Sequence, residues 1–175
     1  MGTLKTTNIE SISGSGTVTL GTSGETFTVP SGVTISGGLA NTPSFLAYDA
    51  SNQAIANTTY TLLQFDTESF DTDSAYNTGT YKFTVPSGEG GKYLIGCAVK
   101  STGATDRLIL RLEKNDGNTF YSETYSESNA SCQFDILMDL AAADHLKVAV
   151  YQNSGGSLDL EGGSGTNAFY GYKLT

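Results

Sequence analysis

The sequence predicts an all-β protein: an antiparallel jelly-roll β-sandwich preceded by a short β-rich N-terminal segment. Three observations carry this. The 175 residues include 21 Gly, and Ser, Thr, Asn, Val and Tyr recur throughout, a composition that disfavours helices and suits strands joined by tight turns. The longest helix-friendly stretch, Ile136 to His145, is short. Nine alternating apolar segments follow one another from residue 44 onward, each bounded by turn residues.

Residues 1–40 differ in kind from the rest. They hold 8 Gly and 15 Ser or Thr but one aromatic, Phe27, whereas residues 41–175 hold the other 17 of 18 aromatics. Only the second part can fill a core of its own. A boundary is expected in the loop-like Ser36-Gly-Gly-Leu-Ala-Asn41, dividing an N-terminal anchor or trimeric stalk, 1–40, from a head domain, 41–175. Within the first part Thr17-Val-Thr-Leu20, Thr26-Phe-Thr-Val29 and Val33-Thr-Ile35 are strand-length pieces between Gly-Ser and Pro-Ser-Gly turns. So thin a segment needs a partner to cover its apolar face. Identical chains wrapped round one axis would supply it; a flexible polar linker is the alternative. Phe-Thr-Val-Pro-Ser-Gly occurs twice, at 27–32 and 83–88, with unrelated flanks, which reads as two independent strand exits.

In the second part the strands are read, in order, at 44–48, 60–65, 81–85, 92–99, 107–112, 119–125, 132–138, 146–151 and 168–174. Alternation sets Leu108, Leu110 and Leu112 on one face and Arg107, Ile109 and Arg111 on the other. Asn115-Asp116-Gly117 supplies left-handed turn residues for a tight hairpin. Some strands are apolar on both faces: Tyr93, Ile95, Cys97 and Val99 against Leu94, Gly96 and Ala98, with Phe169 and Gly171 against Tyr170 and Tyr172. A solitary sandwich does not require a second apolar face, so a neighbouring subunit is expected there. Tyr93, Ile95, Tyr170 and Tyr172 are the candidate trimer-interface residues.

Charge excludes some partners. Nine basic and 18 acidic residues give a net charge of −9, and all but one unit lies in residues 41–175. That sign is wrong for neutralising phosphates, so neither nucleic acid nor anionic membrane is expected as a partner. The start, Met1-Gly-Thr-Leu-Lys, has no signal-peptide pattern, and no apolar run approaches the ~20 residues of a membrane span.

Reactive chemistry is sparse. The single histidine, His145, has Asp144 beside it and no nucleophile motif near it, and reads as a turn residue at a strand entry. Cys97 and Cys132 fall in phase with apolar faces, as free core thiols do; spacing alone leaves their pairing open. Asp66-Thr-Glu-Ser-Phe-Asp-Thr-Asp73 reads as a solvated acidic loop. Its Asp71 and Asp73 are the calcium candidates, although the spacing fails the EF-hand pattern. No other cofactor is expected. A sugar site needs aromatic faces beside hydrogen-bonding groups, which 120–129 and 152–156 can furnish; Tyr121, Glu123 and Tyr125 on one strand face are the candidate glycan contacts. The many carboxylates single out no catalytic pair, and the chain reads as a non-enzyme.

From Pro43 onward the chain resembles the globular head of complement-type proteins, the trimeric jelly roll related to tumour necrosis factor. The landmarks run in family order: Ser44-Phe-Leu-Ala47, Leu63-Gln-Phe-Asp66, Asp73-Ser-Ala-Tyr-Asn77, Thr80-Tyr-Lys-Phe-Thr-Val-Pro86, Gly91-Lys-Tyr-Leu-Ile95, Leu112-Glu-Lys-Asn-Asp-Gly117 and Phe169-Tyr-Gly-Tyr172. Where that family has Leu-x-x-Gly-Asp, this chain has Leu140-Ala-Ala-Ala-Asp144, which exchanges a Gly turn for residues that tolerate a short helical turn. There is no collagen-type stalk. Leu4 to Ile9 and Gly24 to Ile35 instead look like the leading segments of bacteriophage fibre and virion-surface proteins, particularly of marine phages. These resemblances imply a homotrimeric, non-enzymatic virion-surface protein assembled in a bacterial cytoplasm: a head fibre, capsid decoration or short tail-fibre knob held to other virion proteins through residues 1–40. The alternative is a tail-tip adhesin recognising host glycan. Capsid and tail are not distinguished.

Overall fold

The computed structural model describes Thr26, Ser31, 41–126 and 128–174. The expected anchor or stalk, 1–40, therefore lies outside the described residues but for those two positions. Within the unit Gly37–Thr175 the described residues form strands and no helix, an all-β antiparallel jelly roll.

Two sheets face each other. The first has the order β10-β7-β13-β1-β4, where β1 is Ser44–Tyr48, β4 Thr67–Asp71, β7 Gly91–Lys100, β10 Ser131–Leu140 and β13 Ala168–Lys173. The second has the order β5-β6-β11-β8-β9, where β5 is Tyr76–Asn77, β6 Lys82–Thr84, β8 Thr105–Lys114, β9 Gly117–Ser126 and β11 His145–Gln152; β3, Thr61–Leu62, also pairs with β11. A small ribbon joins β2, Gln53–Ile55, to β12, Leu158–Leu160. Every ladder is antiparallel, and along each pleated strand successive side chains alternate between the core and the outside.

The core lies between the sheets. Phe45, Tyr93, Ile95, Cys97 and Phe169 enter it from the first sheet, and Phe83, Leu108, Leu110, Leu112, Leu146, Val148 and Val150 from the second. Phe45 stacks on Phe83 with centroids 4.6 Å apart and meets Phe169 edge-on at 5.1 Å. The contact with Phe83 ties β1 to the opposite sheet and that with Phe169 to β13 of its own, each ring contributing about 1.5–3 kcal/mol through burial.

All nine strands read from the sequence are present, with 60–65 shortened to Thr61–Leu62. The additional strands β2, β4, β5 and β12 are short or polar. The acidic loop expected over 66–73 is instead largely the edge strand β4, whose ladder to β1 carries a bulge between Leu46 and Ala47. At the hairpin, Lys114 pairs with Gly117 across Asn115 and Asp116, which adopt φ of 52° and 64°. Those are the left-handed values a two-residue turn of this class requires.

One expectation is corrected. Tyr93 and Ile95 cannot meet a neighbouring subunit, because both are fully buried between the sheets. Alternation puts them on the face opposite Leu94, Gly96, Tyr170 and Tyr172, which carry the outward surface. The segment after Leu140 forms no helical turn: Asp144 N donates to Ala141 O at 3.1 Å, and Ala143 takes φ of 70°. Alanine thus occupies, in the left-handed region, the position where the resembled family has glycine.

Candidate functional site

The outward face of the first sheet is built by register. Gly96 opposes Tyr170 on one side and Asp135 on the other; Leu94 opposes Tyr172 and Leu137; Leu46 opposes Tyr170 and Phe70. Of the six large hydrophobic residues exposed among those described, Phe70, Leu137, Tyr172 and Leu174 belong to this side of the molecule. Single exposed apolar residues are ordinary, but a contiguous set on one sheet marks a surface meant to be covered.

At its centre the Tyr170 ring lies across Gly96 and its hydroxyl donates to Asp135 Oδ1 at 2.8 Å. A Cβ at residue 96 would stand 2.4 Å from two ring carbons and 2.5 Å from Asp135 Oδ1. Only glycine lets the ring cross β7 from β13 to β10. Burial first, then the bond to Asp135, pushes the Tyr170 hydroxyl up to about 12, so it stays a protonated donor at neutral pH. Beside the ring a groove of about 360 Å³ runs between Leu46, Phe70, Tyr170 and Tyr172. A second, of about 200 Å³, lies between Lys92, Leu137, Asp139 and Leu174. Lys92 and Asp139 face each other at 3.9 Å, so the charges bordering that groove balance.

The second sheet presents a different surface. Tyr121, Glu123 and Tyr125 do share the outward face of the edge strand β9, and Tyr121 and Tyr125 are the remaining two exposed large hydrophobic residues. Glu123 is paired with Arg107, and hydrogen bonding to Arg107 is the main cause that lowers the Glu123 carboxyl and raises the Arg107 guanidinium. Arg111, opposite Tyr121, lies 3.8 Å over the ring of Tyr60, which in turn leans on Tyr151. Sequence reasoning missed Tyr60, Tyr151 and the two arginines as parts of this patch. The alternation of Arg107, Ile109 and Arg111 pointed to their face; the approach of Tyr60 depends on β3 pairing with β11, a long-range contact with no local sequence signal.

Charge elsewhere is structural. Buried Glu113 holds Arg111 and Lys147, and Lys147 also reaches Asp116 at 2.8 Å. Lys147 first, then the nearby His145, hold the Asp116 carboxyl well below the usual carboxylate range. His145 opens β11 with Nε2 3.4 Å from Asp116 Oδ2. Asp71 accepts from the Tyr76 amide at 2.8 Å and Asp73 from the Thr72 hydroxyl at 2.6 Å, so both calcium candidates serve the turn before β5. Among the described residues no three His, Cys, Asp or Glu side chains converge as a metal-binding group. Cys97 and Cys132 are buried and free.

The fold class these sheets define is the jelly roll of the tumour necrosis factor and complement globular-head proteins. Solved structures that share it include the Eiger tumour necrosis factor of S. frugiperda (TM-score 0.59, 13 % identity, 78 % of this chain and 94 % of that one). The globular domain of zebrafish complement 1qA protein aligns with TM-score 0.56 and 16 % identity over 77 % of this chain and 98 % of its own. Murine APRIL aligns with TM-score 0.60 and 12 % identity over 75 % and 98 %. No protein-family model matches the sequence, and no curated protein does.

Proposed function

We propose that this chain is a non-enzymatic structural module that associates as a homotrimer through the outward face of β10-β7-β13-β1-β4, and that it forms a knob on the surface of a bacteriophage particle. The observation that carries the self-association is the apolar surface around Tyr170, whose ring is laid over Gly96 with Phe70, Leu137, Tyr172 and Leu174 exposed about it. Such a surface is stable in water when a copy of the same sheet covers it. The resemblance to trimeric heads supports three copies rather than two, and the likeness of residues 1–40 to phage fibre segments supports attachment to other virion proteins. Three heads on one axis raise effective concentration, so weak individual contacts hold together. The trimer would carry three times the −9 of each chain, which favours solubility and opposes direct adhesion to anionic membranes.

Sedimentation equilibrium of the full chain tests this. Three times the 18.3 kDa chain mass is expected, with Leu137→Arg or Phe70→Arg shifting the population to one chain mass while the sheet circular dichroism is retained. A stable monomer of the unaltered chain overturns the reading. Gold-labelled antibody on intact particles then decides between capsid and tail, and its absence from particles removes the virion role.

A further inference from the structure

Self-association through one sheet leaves the opposite sheet's aromatic edge uncovered. Tyr125 is 68 % exposed, the equal of the most exposed large hydrophobic residue described. It directly precedes Ser126, and Ser126 lines a polar cavity of about 150 Å³ with Ala104, Thr105, Asp106, Asn153 and Ser154. That volume is roughly the share of five waters in the liquid. Three elements meet there: the start of β8, the end of β9 and the turn after β11.

The cavity is firmly built. Asn153 Oδ1 accepts the Arg107 amide at 2.8 Å, Asn153 N donates to Thr105 Oγ1 at 3.4 Å, and Thr105 Oγ1 donates to Arg107 O at 2.8 Å. The Asn153 carbonyl oxygen is thereby committed, which leaves its amide nitrogen as a donor. Ser154 is fixed through N–H to Gln152 Oε1 at 2.6 Å and through Oγ to Gly156 O at 3.1 Å. Asp106 adds carboxylate acceptors and Ser126 a hydroxyl. The wall is contiguous with the ring platform, because the Arg107 whose backbone Asn153 holds also pairs with Glu123, which shares the outward face of β9 with Tyr125.

We infer that the Tyr125 ring and the Asn153–Asp106 cavity beside it form a binding subsite for a neutral saccharide. A sugar ring offers an apolar C–H face and an equator of hydroxyls that are at once donors and acceptors. The subsite offers the complement: an exposed aromatic face next to a pocket mixing amide donor, hydroxyl and carboxylate acceptors. Tyr121, four residues along the same strand face and so about 14 Å away by strand rise, provides a second platform for a longer oligosaccharide. A polyanion is disfavoured, since the patch's arginines are engaged by Glu123, Glu113 and Tyr60 and the cavity itself carries Asp106. The subsite lies on the sheet opposite the proposed self-association face, so it stands or falls separately from that reading.

The full chain probed on an array of neutral hexose, N-acetylhexosamine and uronate-containing oligosaccharides tests the inference, with retained sugars titrated in solution by tyrosine absorbance and chemical-shift changes. Retention of neutral saccharides is expected, with Tyr125→Ala and Asn153→Ala each weakening binding about tenfold or more. Tyr125→Phe, which keeps the ring, stays within about threefold. Three results overturn the proposal: no saccharide retained, retention of uronates alone, or equal binding by Tyr125→Ala, Asn153→Ala and the parent. A change of molar mass in Tyr125→Ala without change in sugar binding also overturns it, by assigning the patch to a protein contact.

Discussion

The ring of Tyr170 on β13 crosses the backbone of Gly96 on β7 so closely that the space of one methyl group at residue 96 is already filled. The crossing brings the hydroxyl to Asp135 on β10, linking three adjacent strands on their outward side. Gly96→Ala therefore has no room without displacing the ring. We expect a loss of about 1–3 kcal/mol, read as a lower denaturant midpoint, together with weaker self-association. Tyr170→Phe loses only a partly exposed hydrogen bond and costs about 1 kcal/mol or less. Equal stability of Gly96→Ala and the parent would show that the ring does not occupy this position in solution.

Ala143 is the counterpart case, where a glycine is missing. Its φ of 70° is unfavourable for a residue with Cβ, by about 1–2 kcal/mol. The turn is held in spite of this, since Ala143 N donates to Val85 O at 2.9 Å and the Ala141 amide to Asp144 Oδ2 at 2.8 Å. Ala143→Gly relieves the strain but adds freedom to the unfolded chain, so a net gain of about 0.5–1 kcal/mol is expected in urea unfolding. A destabilised Ala143→Gly would show that the turn is not left-handed at this residue.

These two positions show what a sequence discloses and what it withholds. Period-two alternation in 92–99 and 107–112 revealed strand, face and hairpin, because those signals are local. It also showed that β7 is apolar on both sides, yet could not say which side faces the second sheet. The sequence offers Tyr93 and Ile95, the larger side chains, as interface candidates, and the structure buries them. Deciding the side requires knowing what Phe45 and Phe83 stack against, a contact 38 residues apart in sequence. The glycan candidates Tyr121, Glu123 and Tyr125 lie on one face because they share one strand, which their spacing alone shows. The cavity beside them draws on three separate segments, so no local pattern shows it, although 152–156 offers hydrogen-bonding groups in the sequence itself. The edge strand β4 was hidden because its charged and polar residues obey no core periodicity, being exposed at an edge where charge prevents further pairing.

Asp144 makes the turn acid-sensitive. Its carboxylate is engaged by Lys114 at 2.7 Å, the Asn115 side chain at 2.7 Å and the Ala141 amide, and the first two of these hold the group at about 2. The folded state thus binds this proton more weakly than the unfolded chain does. The stability it contributes is complete above the unfolded value near 4 and disappears as pH falls from there towards 2. Asp144→Asn is expected to cost about 1–2 kcal/mol at neutral pH, with the difference from the parent shrinking between pH 4 and 2. A difference that stays constant across that range would show that the carboxylate is not held by these partners.

Cys97 and Cys132 offer a contrast between two buried thiols. Both belong to adjacent strands, and the register pairs Cys97 with Phe134 and Cys132 with Val99, which sets the sulfurs diagonally on the core face. Cys97 is wholly inaccessible, and burial pushes its thiol well above the usual value, so little thiolate exists at neutral pH. An aromatic disulfide reagent is therefore expected to find both thiols unreactive in the folded protein and to titrate two per chain in denaturant. Substitution separates the pair. The Sγ of Cys132 already meets the Ser122 hydroxyl at 3.5 Å, so Cys132→Ser keeps a polar partner and costs about 1 kcal/mol. Cys97 sits amid Ile95, Val99 and Phe169 in the core, where a serine hydroxyl is desolvated, and about 2–3 kcal/mol is expected from Cys97→Ser. Rapid labelling of the folded chain, or a Cys132→Ser more damaging than Cys97→Ser, would contradict this arrangement of the sulfurs.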